Sequence, residues 1–146
     1  MMLELYLDTC CFNRPFDDQT KLSLRLETEA KLQIQTAIRA GTYHLNWSYI
    51  LNYENMLNPQ IERCKEIAKW ESLAHRVVLE TSDVLTSARK MGTLGFRALD
   101  ALHLGCAIAL RCDYFLTVDK GILKKSAKLS EIRVRNPVDF VFEQGL

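Results

Sequence analysis

The sequence predicts an α/β fold: a mainly parallel, twisted sheet of about four to five strands with helices on both faces. Two observations carry this. Short apolar runs suited to covered strands recur along the chain as LELYLD, YHLNWS, HRVVLE, YFLTVD and IRVRN. Between them lie longer segments with apolar residues at helical spacing, and strands alternating with helices imply right-handed crossovers between parallel strands.

LELYLD reads as the first strand, and TCCFNRPFDD as the loop after it. Leu22, Leu26, Ala30, Ile34 and Ile38 then recur at steps of four, the stripe of a long helix from Gln19 to Ala40 that Gly41 closes. YHLNWS is a strand and SYILNYENML a helix that Pro59 interrupts. Pro59 to Ala74 reads as a further helix with proline in its first turn. HRVVLE has the apolar run of a covered strand. DVLTSARKMG reads as a helix stopped by Gly92, with Gly95 opening a short connection. ALDALHLGCAIALR is nearly all apolar and should be a central, buried helix. YFLTVD is a strand, GILKKSAKL a short helix, and IRVRN a last strand before PVDFVFEQ.

The 146 residues suffice for one domain with a full core. Apolar residues are 48% and charged residues 25%, an ordinary globular balance, and the net charge of +1 gives no basic excess of the kind that announces nucleic-acid binding. The opening MMLELYLD lacks the basic region of a signal or transit peptide, and no run approaches the ~18 apolar residues of a membrane span, so a cytoplasmic protein without a membrane partner is expected. Five cysteines without a CxxC pair argue for reduced, mostly buried thiols; Cys10 and Cys11 are read as structural.

In an open parallel sheet, functional groups gather outside the carboxyl ends of the strands, near the point where strand order reverses. Asp8 ends the first strand and Asp119 follows YFLTV in the same sense. Asp100 opens the apolar helix, and Glu54 lies in the helix that follows YHLNW. Each has an ordinary alternative: a turn former, a helix-dipole partner or an exposed helical acid. Jointly, four convergent acids would repel one another unless a cation sat between them. Carboxylate oxygens suit Mg2+ or Mn2+, and the sequence displays no His or Cys cluster for a softer metal. An ion held by Asp8, Glu54, Asp100 and Asp119 would orient a phosphodiester and activate water, implying hydrolysis without a covalent enzyme intermediate.

An amino-terminal strand ending YLDTC, a helix carrying SYILNYE and the segment ALDALHLGCAIALRCDYFLTVDKGI, in that order, resemble the PIN domain, the nuclease fold of VapC-type toxins. The resemblance covers essentially residues 1–146 as a single PIN-like domain, and its most specific part is DALHLGCA followed by DYFLTVDKGI. It implies a catalytic, metal-binding set of Asp8, Glu54, Asp100 and Asp119, with Thr117, the threonine of the TxD motif, and Thr9, the small hydroxyl residue after the first acid, as substrate contacts. It further implies a Mg2+- or Mn2+-dependent endoribonuclease of single-stranded RNA, a toxin held by an antitoxin protein, and a homodimer. The chain departs from many small toxins in the loop CFNRPFDDQ, which sets Asn13, Arg14, Asp17 and Asp18 beside the expected site, Asn13 and Arg14 as substrate contacts.

Arg14 and Arg97 suit either phosphate contact or carboxylate pairing. His103, one turn after Asp100, is read as a hydrogen-bonded core residue, Glu27 and Glu29 as solvent-facing, and Asp113 as a turn or capping residue. Lys120, Lys124, Lys125 and Lys128 form a solvated helical side that borders the site. A receiver domain would need an acidic pair at the first strand, and Glu4 lies too early. A haloacid-dehalogenase-type phosphatase needs an acid two residues after the first, where this chain has Cys10. A PIN-like protein that binds RNA or a regulatory partner without cutting is the remaining alternative. The apolar positions Leu22, Leu26, Ile34 and Ile38, with Ile61, Ile67, Trp70 and Leu73, exceed what one small sheet needs, which places the expected dimer interface on those two helices.

Overall fold

The structure is a computed structural model that describes residues 2–12 and 21–146. Asn13, Arg14, Asp17 and Asp18 lie outside the described residues.

Five strands, β1 (Glu4–Leu7), β2 (His44–Ser48), β3 (Ala74–Val78), β4 (Tyr114–Leu116) and β5 (Arg133–Arg135), form one sheet in the order β3-β2-β1-β4-β5. Every pairing is parallel. The chain starts in the middle of the sheet and builds outward on both sides, so strand order reverses at β1. Leu5 pairs with Leu45 on one side and Tyr114 on the other, and Tyr6 pairs with Asn46 and Phe115.

Between the strands lie α1 (Leu22–Arg39), α2 (Tyr49–Met56), α3 (Ile61–Ala68), α4 (Ser82–Thr93), α5 (Ala98–Ala109) and α6 (Lys120–Lys125), and α7 (Pro137–Gln144) follows the last strand. Strand alternation separates two covered faces. Tyr114 meets Phe140 of α7 edge-on, and α7 packs on α1. On the opposite face Tyr6 stacks on Phe115 and bonds to His103 of α5, which packs on α4. These contacts bear out the expected α/β sheet with helices on both faces.

Several local expectations change. The helix expected from Pro59 to Ala74 leaves α geometry after Ala68, continues as a 3-10 turn over Lys69–Leu73, and gives way to β3 at Ala74. That turn buries Trp70 against Phe12 and beneath the Arg39 guanidinium, 4.3 Å from the ring centre. Gly92 does not stop α4, which reaches Thr93. The left-handed backbone needed to leave the helix falls on Gly95, with φ +98°. HRVVLE contributes only its first four residues to β3, an edge strand whose residues alternate between partly buried and exposed, so its apolar run is only half covered. PVDFVFEQ is a helix: Asn136 caps it by accepting from Val138 N, Pro137 occupies its first turn, and Phe140 is fully buried.

The apolar positions assigned to a dimer interface also divide. Ile34, Ile38, Ile67 and Trp70 belong to the chain's own core. Leu22, Leu26, Ile61 and Leu73 are exposed.

The covering of the site-bearing face depends on a close approach of α4 and α5 at Gly105. A Cβ there would lie 2.8 Å from the Val84 carbonyl oxygen and 3.0 Å from the Ala88 nitrogen, both backbone atoms with little freedom to yield. Gly105→Ala gains about 1 kcal/mol of helix propensity but incurs overpacking of about 1–3 kcal/mol. The expected outcome is a lower urea midpoint with an unchanged slope; a midpoint at or above that of the parent contradicts the close packing.

Candidate functional site

β1 and β4 are neighbours, and their carboxyl ends are tied by one hydroxyl. The ladder runs one step beyond the strand, with Asp8 N donating to Leu116 O at 2.9 Å. Asp8 then caps the 3-10 turn Thr9–Cys11, its Oδ1 accepting from Thr9 N at 2.8 Å. Thr117, fully buried, donates from Oγ1 to Asp8 Oδ2 at 2.7 Å and accepts from Asp119 N at 3.0 Å. Asp119 is exposed and caps α6, its Oδ1 accepting from Ile122 N at 3.0 Å. Thr117 thus positions both aspartates, one through its carboxylate and the other through its backbone.

Glu54 approaches from α2. Ser48, at the end of β2, caps that helix by accepting from Leu51 N at 3.2 Å. Its Oγ is also 2.7 Å from Tyr6 Oη, which lies 2.7 Å from His103 Nδ1. The far side of the same imidazole, Nε2, is 3.3 Å from Glu54 Oε2. The result is a buried polar chain, Ser48–Tyr6–His103–Glu54, running beneath the site. Since a carboxylate only accepts, Nε2 carries a proton and donates to Glu54. His103 is therefore the hydrogen-bonded core residue expected, and it also braces a site acid. Its spacing from Asp100 suggested proximity; nothing in the sequence disclosed Tyr6 and Glu54 as its partners.

Ligand atoms of Asp8, Glu54 and His103 lie within 4.8 Å of one another. Asp100, in the first turn of α5, is coupled electrostatically to Asp119 and Asp8. Burial first, then the nearby Asp119 and Asp8 charges, raise the proton affinity of Asp100, partly offset by His103 and Arg97. Asp8 is raised as well, mainly by burial, against the lowering influence of His103 and Thr117, with Glu54 adding to the rise. For Glu54, burial acts upward, but the hydrogen bond from His103, the Thr9 hydroxyl and the His103 charge bring the net shift downward. Thr9 Oγ1 itself is buried without a hydrogen bond of full geometry among the described residues.

The donor set fits a hard divalent cation. Burial, with a smaller part from neighbouring carboxylate charges, lifts the proton affinities of Asp8 and Asp100, and hard carboxylate oxygens match Mg2+ or Mn2+. Both nitrogens of His103 are already engaged, so its part is to hold Glu54. Among the remaining cations, Arg97 caps α5 beside Asp100, exposed Lys120 and Lys124 flank Asp119 on α6, and Lys128 is turned away to the Leu94 carbonyl.

A raised carboxyl contributes stability that is fully present below its unfolded value of 3.8 and is lost as pH rises through its folded value. Asp100→Asn removes that loss. In metal-free protein the variant is expected to melt higher than the parent at pH 7, with the difference shrinking toward pH 3.8. Thermal melts across this range check the sign; a variant less stable at pH 7 argues against repulsion at Asp100.

No protein-family model and no curated protein sequence matches the chain. Solved structures do. A chain of VapBC2 from Rickettsia felis, bound to a DNA fragment from their promoter, aligns with a TM-score of 0.58 at 12% identity, over 92% of this chain and 98% of that one. A chain of DNA-bound VapBC from Salmonella typhimurium aligns with a TM-score of 0.58 at 16% identity, over 93% of this chain and 99% of that one. At these identities the likeness is one of fold: the chain has the five-stranded parallel α/β architecture found in VapBC complexes, consistent with a PIN-like fold.

Proposed function

We propose that the protein is a Mg2+- or Mn2+-dependent endoribonuclease acting on single-stranded RNA, the toxin of a toxin–antitoxin pair, within one PIN-like domain. The observation that carries this reading is the grouping of Asp8, Glu54 and His103 at the carboxyl rim where strand order reverses, with Asp100 coupled electrostatically to Asp8 and Asp119 and the proton affinities of Asp8 and Asp100 raised, chiefly by burial. The VapBC likeness supports a toxin-like fold and, by analogy with those complexes, a protein antitoxin as partner.

Asp8, Glu54, Asp100 and Asp119 would hold the ion, which when bound neutralises phosphodiester charge and makes a water a better nucleophile. The chain's own residues set the geometry. Thr117 orients Asp8 and Asp119, and His103, backed by Tyr6 and Ser48, keeps Glu54 ionised and aimed. Arg97, Lys120 and Lys124 would attract the phosphate backbone, and Thr9, Asn13 and Arg14 are proposed as substrate contacts, whereas Thr117, fully buried and bonded to Asp8, has a positioning role in place of the expected substrate contact.

Incubation of purified protein with single-stranded RNA tests the reading. Cleavage is expected with Mn2+ or Mg2+ and not with a chelator, and Asp8→Asn or Asp100→Asn should slow it by about 100-fold or more, beyond the ~10- to 100-fold cost of losing an outer-shell partner. Wild-type rates in both variants overturn the site. Metal-independent absence of cleavage, with RNA still bound, favours the non-catalytic alternative.

The exposed apolar residues Leu22, Leu26, Ile61 and Leu73 support a homodimer built on α1 and α3, over a smaller patch than the full set of eight. Light scattering at micromolar concentration is expected to return twice the chain mass; a monomer mass that persists on concentration refutes it.

A further inference from the structure

The amino ends of β1, β2 and β3 carry a second cluster of ligating side chains, on the rim opposite the four acids and about 13 Å away along β1, at about 3.3 Å per residue. Glu4 Oε2 accepts from His44 Nδ1 at 2.6 Å, and Oε1 accepts from His75 Nδ1 at 3.1 Å. The two imidazoles overlap, with centroids 3.8 Å apart and planes inclined by 32°. The two nitrogens and a carboxylate oxygen all lie within 4.8 Å of one another.

This convergence depends on a break in the sheet. Leu45 is opposite Ala74 but Asn46 is opposite Arg76, so His75 is an extra residue in β3. Strict alternation would send His75 and Arg76 to opposite faces; the bulge lets both reach Glu4, Arg76 Nη2 at 3.3 Å. Asn46 Nδ2 donates to Glu4 Oε1 at 3.1 Å, and its own Oδ1 accepts from Arg76 Nε at 3.0 Å. The carboxylate is thus oriented from behind while both rings address it from the front.

We propose that Glu4, His44 and His75 form a binding site for a transition metal of the Zn2+ class, separate from the acidic rim and independent of the proposed nuclease activity. Two imidazole nitrogens and one carboxylate oxygen are the ligand set of three-residue zinc sites, which keep a fourth position for water or an incoming group. Bonds of about 2.0–2.1 Å in a tetrahedron put ligand atoms about 3.3 Å apart, so the His44 Nδ1 to Oε2 distance of 2.6 Å needs to open by well under 1 Å, and the three ligand atoms already lie within 4.8 Å of one another. On binding, each ring gives up the Nδ1 proton it donates to Glu4: a neutral ring shifts to the Nε2–H tautomer by proton exchange with solvent, and a doubly protonated ring releases its Nδ1 proton to solvent. Burial acts to raise Glu4, but hydrogen bonds from His44, His75 and Asn46 hold it down to about 2, so the oxygen ligand is already ionised. The Arg76 guanidinium offsets part of that charge, which disfavours a hard ion held by charge alone and leaves the preference to a metal that bonds imidazole. With side-chain exposures of 33% for His44 and 47% for His75, the cluster is open to an ion from solution.

Tag-free protein titrated with ZnCl2 tests the site. One equivalent is expected to bind and raise the melting temperature, and this rise should be lost in the His75→Ala background, where any stabilisation by Mg2+ at the acidic rim persists. In wild-type protein the imidazole resonances of His44 and His75 should shift in proportion to Zn2+, while those of His103 stay in place. His75→Ala and His44→Ala should each weaken Zn2+ binding by more than the ~10- to 100-fold that loss of an outer-shell partner costs, and Asp100→Asn should leave it unchanged. No saturable Zn2+ binding, or binding that survives both histidine variants and disappears in Asp100→Asn, overturns the proposal.

Discussion

The parallel pairing of β1 with β2 on one side and β4 on the other is the constraint from which the rest of the molecule follows. A strand paired on both edges and covered on both faces must be apolar, and Leu5, Tyr6 and Leu7 are buried accordingly. Because β2 and β4 run parallel to β1, everything that follows each strand emerges on one rim. Asp8, Ser48 and Thr117 are the first polar residues beyond, or at, those three ends, and each is used at once: Asp8 caps a turn, Ser48 caps α2, and Thr117 bridges to Asp8. The site grows from the ways these strands end.

Beneath it, the chain from Ser48 through Tyr6 and His103 to Glu54 places four polar groups where unsatisfied ones would cost about 1–3 kcal/mol each. Their mutual satisfaction explains how a helix as apolar as α5 tolerates a histidine that is 1% exposed. It also links the orientation of Glu54, an exposed-looking helical acid in sequence, to the interior of the sheet. Such a brace holds a ligand-type carboxylate within tight limits.

The two ends of β1 show one residue type under opposite pressures. Glu4 gathers two histidines, an asparagine and an arginine, and its carboxyl is pulled down to about 2 despite burial. Asp8, four residues on, is buried among other acids and is pushed upward. The difference lies in the partners at each rim: donors from His44, His75 and Asn46 outweigh the burial of Glu4, whereas His103 and Thr117 do not outweigh the burial of Asp8, to which the Glu54 charge adds.

By itself, the sequence determined the alternation of strands and helices, the burial of α5 and the acidic character of the strand ends, because apolar period and local capping chemistry act over a few residues. It did not determine where α3 tightens, that β3 is half open, or that PVDFVFEQ is helical. Those depend on Trp70 finding Arg39 and Phe12, on β3 lying at the sheet edge, and on Phe140 finding Tyr43 and Tyr114. Of the candidate acids, Asp8, Asp100 and Asp119 stood out because each ends or opens an element, whereas Glu54 lay inside a helix, His103 read as core and the Glu4, His44 and His75 cluster was missed altogether. Three strand-opening residues separated by 40 and 31 positions in the chain meet only through parallel register and one bulge. Contacts at such separation carry no local sequence signal, since their partners are chosen by the packing of the whole sheet rather than by neighbours along the chain.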